Sequence, residues 1–90
     1  MIREILLESL EEINKDLKNI ELMEINNETL IFENLDSMGV LDLIIEIENK
    51  LQMQYSKYIQ IADDTVMDEI RTPFKTLSSL IEFVEIKVKL

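Results

Sequence analysis

Helical spacing of apolar residues runs through most of this chain, and only one glycine and one proline interrupt it. In the first seventeen residues, apolar positions recur every three or four residues with acidic side chains between them. That spacing places the apolar side chains on one face of an α-helix. Hairpins need more turn residues than this chain has, so the sequence predicts an all-α fold. The stripe of the predicted first helix is Ile2, Ile5, Leu6, Leu10, Ile13 and Leu17.

A small four-helix bundle is the predicted architecture, in a single domain of residues 1–90. At this length and with 47% apolar content, the chain can build one hydrophobic core but not two. Residues 18–35 are predicted as a long loop, after which helix two runs from Met38 to about Gln52. A short third helix is predicted at Thr65–Ile70, and Thr72-Pro73 or Thr76 marks the entry to the last helix.

Apolar anchors are expected in two of these segments. The loop is pinned to the core by Ile20, Leu22, Ile25, Leu30 and Phe32. The last helix presents one stripe made of Leu77, Leu80, Ile81, Val84 and Val88. A loop of this length does not require helices one and two to be antiparallel neighbours.

Composition excludes several classes of function. With neither cysteine nor histidine, the chain has no disulfide, no Cys or His zinc site, no thiol nucleophile and no histidine base. We therefore expect no metal site and no catalytic residue, and the cytoplasm is the expected compartment. The acidic start is unlike a secretory signal, and no apolar run approaches membrane-spanning length, so no membrane insertion is expected. The chain's own start and stop predict a free-standing protein.

Acidic residues dominate the middle of the chain. The formal net charge of −10 would repel phosphate backbones, so we expect basic protein surfaces as partners and no nucleic acid. No Lys or Arg occurs from Asn19 to Asn49. This stretch is either a solvated acidic face or a docking surface. Its acids are Glu21, Glu24, Glu28, Glu33, Asp36, Asp42, Glu46 and Glu48.

Two apolar stripes lie on the predicted second helix when it is resolved at 100° per residue. A core stripe is formed by Val40, Leu43, Ile44, Ile47 and Leu51. A second stripe, at i, i+3 and i+7, consists of Met38, Leu41 and Ile45. The second stripe is either buried against the loop or a neighbouring helix, or exposed as an acid-rimmed patch for basic, partly apolar partners.

An Asp-Ser pair precedes this helix, and either Asp36 or Ser37 supplies its N-cap. A hydroxyl at a helix N-terminus also faces backbone N–H groups and the positive end of the helix dipole. A phosphate ester would be favoured there. Because the sequence has no set of acid and base residues that would activate its hydroxyl, Ser37 is better interpreted as an attachment point than as a nucleophile.

The stretch LDSMGVLDLIIEIENKL, residues 35–51, resembles the Asp-Ser-Leu motif and recognition helix of acyl and peptidyl carrier proteins. The amphipathic first helix, the long acidic loop and the final KTLSSLIEFV match the element order of that four-helix family, so the resemblance covers most of the chain. LDSMG, together with the later Thr72-Pro73, is also similar to D-alanyl carrier proteins. Gly39 departs from many fatty-acid carriers, which have an acid there.

The resemblance implies a carrier whose covalent cofactor is 4′-phosphopantetheine, attached to Ser37 of the Asp36-Ser37 pair by a phosphopantetheinyl transferase. Acyl or aminoacyl ligases and synthases with basic docking surfaces would be the other partners of a monomer in a specialised pathway of fatty-acid, polyketide, peptide or D-alanyl type. The alternative is an unmodified acidic helical adaptor that binds a basic partner. The partner contacts implied by the resemblance are acidic at Asp36, Asp42 and Glu48, and apolar at Met38, Leu41 and Ile45.

Overall fold

A computed structural model describes the whole chain, residues 1–90, and contains three α-helices. They are α1 (Ile2–Leu17), α2 (Ser37–Tyr55) and α3 (Leu77–Lys89). Short 3-10 helices at Ile20–Leu22 and Phe32–Asn34 interrupt the first connection. No strand forms, although a single antiparallel bridge joins Leu30 to Thr76. The all-α prediction is confirmed, but the bundle has three α-helices where four were predicted.

The predicted short third helix at Thr65–Ile70 is wrong, because this segment forms turns. Carboxylates at each end bind the local backbone in place of helical partners. Asp63 Oδ1 accepts a hydrogen bond from the Thr65 N–H at 2.9 Å, and Asp68 Oδ1 accepts one from the Ile70 N–H at 2.8 Å. Aspartates that bind nearby backbone groups in this way compete with helix formation. Buried Val66 holds the turns against the core.

α1 buries four residues of its predicted stripe, Ile5, Leu6, Leu10 and Ile13. At the two ends of the stripe, Ile2 is half-buried and Leu17 is exposed. The helix ends because Lys18 adopts the left-handed conformation, with φ of 53°. The Lys18 N–H donates to the Asn14 carbonyl at 2.8 Å. Asn14 also accepts from the Asn19 N–H at 2.9 Å through its side-chain oxygen, which stabilises the exit from the helix.

α2 is longer than predicted, since it begins one residue earlier at Ser37 and continues to Tyr55. It ends at Ser56, which is left-handed with φ of 57° and donates its N–H to the Gln52 carbonyl at 2.9 Å. The tyrosine hydroxyl of Tyr55 lies 3.6 Å from the sulfur of Met1. At the opposite end of the pair, Leu17 and Gly39 line one groove. α1 and α2 are therefore antiparallel neighbours.

α3 begins after Thr76, which is the second of the two predicted entry points. The Thr76 hydroxyl accepts from the Ser79 N–H, and the Ser79 hydroxyl accepts from the Thr76 N–H, both at 3.1 Å. This reciprocal pair is a capping box. Leu77, Leu80 and Val84 of the predicted stripe are buried, whereas Ile81 and Val88 are half-buried.

Both long connections contribute to the core: the first, residues 18–36, joins α1 to α2, and the second, residues 56–76, joins α2 to α3. The second supplies four buried apolar residues without forming a helix: Ile59, Ile61, Val66 and Phe74. The first is hydrogen bonded to the segment before α3, since the Ile31 N–H donates to the Lys75 carbonyl at 2.9 Å. Two of its predicted anchors, Ile20 and Leu30, are exposed, and Ile31 is buried in their place. The backbone pairing brings Ile31 inwards and leaves Leu30 on the outer side.

Candidate functional site

The N-terminus of α2 is capped by Asp36, which resolves the choice that the Asp-Ser pair left open. Asp36 has extended backbone angles, and its Oδ1 accepts a hydrogen bond from the Gly39 N–H at 2.8 Å. Its carbonyl accepts the first backbone bond of the helix, from the Val40 N–H at 3.0 Å. The cap needs nothing from Ser37.

Ser37 is the first residue of α2 and is exposed. Its hydroxyl makes no hydrogen bond within the protein. The backbone N–H groups of Ser37 and Met38 are likewise without a partner, because the capping carboxylate takes the N–H of Gly39. A free hydroxyl therefore stands beside two free N–H donors at the positive end of a helix of 19 residues.

Gly39 is buried in the first turn of α2, and packing explains its presence. Its φ is negative, so no left-handed conformation requires a glycine. A Cβ atom here would lie 3.2 Å from Leu35 Cδ2 and 3.3 Å from Leu35 Cβ. These distances are tighter than ordinary van der Waals contact. The missing side chain lets Leu35 pack closely under the turn that presents Ser37.

The second stripe of α2 is exposed, and we call it the α2 patch. Its members Met38, Leu41 and Ile45 keep 64%, 46% and 55% of their surface accessible to solvent. Neither the first connection nor a neighbouring helix covers them. Ser37 precedes Met38 directly, so the hydroxyl and the α2 patch lie at the same end of the helix.

The acidic residues predicted to flank this patch differ in their surroundings. Asp36 and Asp42 are exposed, and Asp42 makes no hydrogen bond or ion pair. Glu48 is half-buried and is bound to the second connection. Its Oε2 accepts from the Ile61 N–H at 2.9 Å, and its Oε1 accepts from the Tyr58 hydroxyl at 3.1 Å. Glu48 therefore has a role inside the protein, whereas its contact with partners stays a prediction.

The hydrogen bond to Glu48 has an electrostatic consequence for Tyr58. Because the bond requires the protonated phenol, it raises the pKa of Tyr58, with smaller contributions from burial and from the charge of Glu48. A raised phenol pKa keeps Tyr58 a neutral donor to Glu48 over a wider pH range. This pair holds the start of the second connection beside α2.

Two acidic residues that the sequence analysis did not single out, Glu12 and Asp16 of α1, lie beside the same helix. They line a groove between α1 and α2 together with Asp42. On the sequence they look like the ordinary polar face of α1. Only the antiparallel packing of the two helices brings them next to Asp42, and no pattern within either helix indicates this.

The site combines an exposed serine hydroxyl, an exposed apolar patch and exposed acidic side chains. No group of three or more Asp, Glu, His or Cys side chains is arranged to hold a metal ion. None of the helices combines the length and the apolar content needed to cross a membrane.

Comparisons with protein-family models, with curated proteins and with solved structures found no match to this chain.

Proposed function

We propose that this chain is a carrier protein that holds acyl or aminoacyl groups as thioesters on a 4′-phosphopantetheine arm attached to Ser37. The arm supplies the thiol that a chain without cysteine lacks. Other enzymes attach, modify and remove the cargo, so the carrier itself catalyses nothing. We place it in the cytoplasm, as a monomer serving a specialised pathway of fatty-acid, polyketide, peptide or D-alanyl type.

One observation carries this proposal: Asp36 caps α2 alone, which leaves the Ser37 hydroxyl exposed and unbonded. A serine at this place usually has a capping role, and here it has none. The groups at the start of α2 are suited to hold a phosphodiester. Ser37 Oγ would provide the ester oxygen, and the free N–H groups of Ser37 and Met38 would stabilise the phosphate charge with the helix dipole.

The surroundings of Ser37 support the docking part of the proposal. The α2 patch is exposed and begins at the residue that follows the attachment point, and the unpaired carboxylate of Asp42 lies on the same helix. An apolar patch with acidic neighbours complements a partner surface that is apolar and basic. A transferase, a ligase and a synthase would each approach Ser37 across this surface.

An intact mass tests the attachment directly. The protein is incubated with coenzyme A, magnesium and a broad-specificity phosphopantetheinyl transferase, alongside Ser37→Ala and a control carrier. Ser78→Ala is the matched variant, because Ser78 is also exposed in the first turn of a helix whose cap is another residue. We expect one phosphopantetheine on the parent and on Ser78→Ala, and none on Ser37→Ala.

Absence of any gain on the folded parent, with the control carrier modified in parallel, would refute the carrier role. The function would then be that of an unmodified acidic adaptor, which uses the α2 patch to bind one basic partner. A gain that persists in Ser37→Ala would place the attachment elsewhere and would also contradict the proposal.

A further inference from the structure

A groove of about 240 Å³ runs between α1 and α2 and adjoins the α2 patch. Ile45 belongs to both features, since it is a member of the patch and lines the groove. Ile13 and Leu17 of α1 supply the remaining large apolar surface of the groove. Leu17 is 44% exposed. Gly39 lines the end of the groove nearest Ser37.

Four carboxylates line this groove, and two of them are neutralised within the protein. Glu12 pairs with Lys15 at 3.1 Å, and Glu46 pairs with Lys50 at 3.0 Å. The other two are Asp16 of α1 and Asp42 of α2, which make neither ion pairs nor hydrogen bonds. The groove therefore carries an uncompensated negative charge on each of its two walls.

We propose that this groove receives an arginine side chain from the surface of a partner protein, with apolar residues of that partner on the α2 patch. An arginine has an aliphatic stem and a cationic head, which suit the two kinds of surface in the groove. Leu17 and Ile45 contact the stem, and Asp16 and Asp42 bind the guanidinium. This group is less strongly hydrated than an ammonium, so it is favoured over lysine in interface ion pairs.

The inference extends the docking surface from α2 to the last turn of α1. It deepens the proposed function by specifying the partner's chemistry, and it rests on that function only in the choice of partner enzymes. Attachment at Ser37 is not needed for a guanidinium to bind in the groove. The two ideas therefore fail separately.

The test uses the unmodified full chain and a capped amphipathic helical peptide with one arginine flanked by leucines at i−3 and i+4. Its binding is measured by fluorescence anisotropy, and amide chemical shifts locate the contact. Asp16→Asn is the decisive variant, because Asp16 lies outside the α2 patch. Asp16 is also near the C-terminus of α1, where loss of a negative charge does not destabilise the helix. Glu85→Gln is the control, since it removes one charge from the exposed side of α3.

We expect Asp16→Asn to raise the Kd about three- to fivefold, as for loss of a partly exposed ion pair. Glu85→Gln should change it by less than about twofold, because a distant exposed charge is screened. Replacing the arginine of the peptide by citrulline should weaken binding to the parent more than binding to Asp16→Asn, in which only Asp42 remains to bind the guanidinium. The largest changes in amide chemical shift should occur at Asp16, Leu17, Gly39 and Ile45.

Equal weakening by Asp16→Asn and Glu85→Gln would overturn the inference, because the attraction would then come from the net charge of the protein. Shifts confined to the α2 patch, with none on α1, would also overturn it. Either result is compatible with phosphopantetheine on Ser37. Conversely, a localised arginine contact on a chain that is not modified would retain the groove and remove the carrier role.

Discussion

The carboxylate of Glu48 in α2 accepts a hydrogen bond from the backbone N–H of Ile61 at 2.9 Å. A second, longer bond of 3.4 Å comes from the Ala62 N–H. Ile61 is fully buried, so its N–H would lack a protein partner if the carboxylate were removed. The Glu48 side chain therefore supplies the hydrogen-bond acceptor that the backbone of a neighbouring strand or helical turn would otherwise supply.

Loss of this carboxylate should destabilise the whole protein. We expect Glu48→Ala to lower the free energy of unfolding by about 2 kcal/mol. The variant loses hydrogen bonds to a charged group, and it leaves the buried Ile61 N–H without a partner in the protein. Urea unfolding followed by circular dichroism measures this. Glu46→Ala is the matched control, since it removes only the half-buried pair with Lys50 and should cost about 1 kcal/mol or less. Equal costs would contradict the anchoring role.

Tyr58 should ionise above the ordinary pKa of a tyrosine. In Tyr55→Phe only one tyrosine remains, so absorbance at alkaline pH follows Tyr58 alone. Glu48→Gln in this background should lower the pKa of Tyr58, because the bond to Glu48 is its largest cause. The folded pKa is raised above the unfolded one. The stabilisation is therefore fully present below the unfolded pKa and is lost as the pH rises through the folded pKa.

A Glu46→Gln variant in the same Tyr55→Phe background serves as the control. It removes an equal charge from α2 without touching the phenol, so its titration midpoint should stay with the parent. A Tyr58 midpoint that responds equally to both substitutions would mean that general charge, and not the hydrogen bond, sets the pKa.

Asp36 and Ser37 should differ in what they contribute to stability. We expect Asp36→Ala to lower the free energy of unfolding by about 1 kcal/mol, because the bond to the Gly39 N–H is lost. Ser37→Ala should change it by less than about 0.5 kcal/mol, since its hydroxyl has no partner in the protein. Thermal and urea unfolding of the two variants measure the difference. A Ser37→Ala cost as large as that of Asp36→Ala would reveal a capping role for Ser37.

The α2 patch should affect binding far more than folding. We expect Leu41→Gln and Ile45→Gln to leave the free energy of unfolding within about 0.5 kcal/mol of the parent, because both side chains are already exposed. The KM for the phosphopantetheinyl transferase should rise about fivefold or more, because residues at the centre of an interface carry most of the binding energy. Stopped assays with intact-mass detection give both kcat and KM.

Leu43→Ala provides the contrast, because Leu43 lies on the same helix and is fully buried. It should lower the free energy of unfolding by about 2 to 5 kcal/mol. Patch variants that unfold as readily as Leu43→Ala would show that the exposed stripe supports the fold after all.

Periodic segments were predicted well, and segments without periodicity were not. The core stripe of α2 is buried at Val40 and Leu43, as its spacing indicates. The second connection reads as helical at Thr65–Ile70, but Asp63 and Asp68 bind the local backbone and turn it instead. Whether an aspartate caps a helix or closes a turn depends on which N–H groups come within reach, and local sequence did not specify this.

Apolar spacing along the chain was enough to predict the three long helices and most of their core faces, and the Asp-Ser pair was enough to place Ser37 at the start of α2. These follow from spacing along single helices, because periodicity decides which side chains share a face. Three other features come from the packing of the whole chain: the α2 patch is exposed, Glu48 binds the second connection, and Asp16 and Asp42 line one groove. Each of these depends on contacts between segments distant in the chain, and no pattern within one segment contains that information.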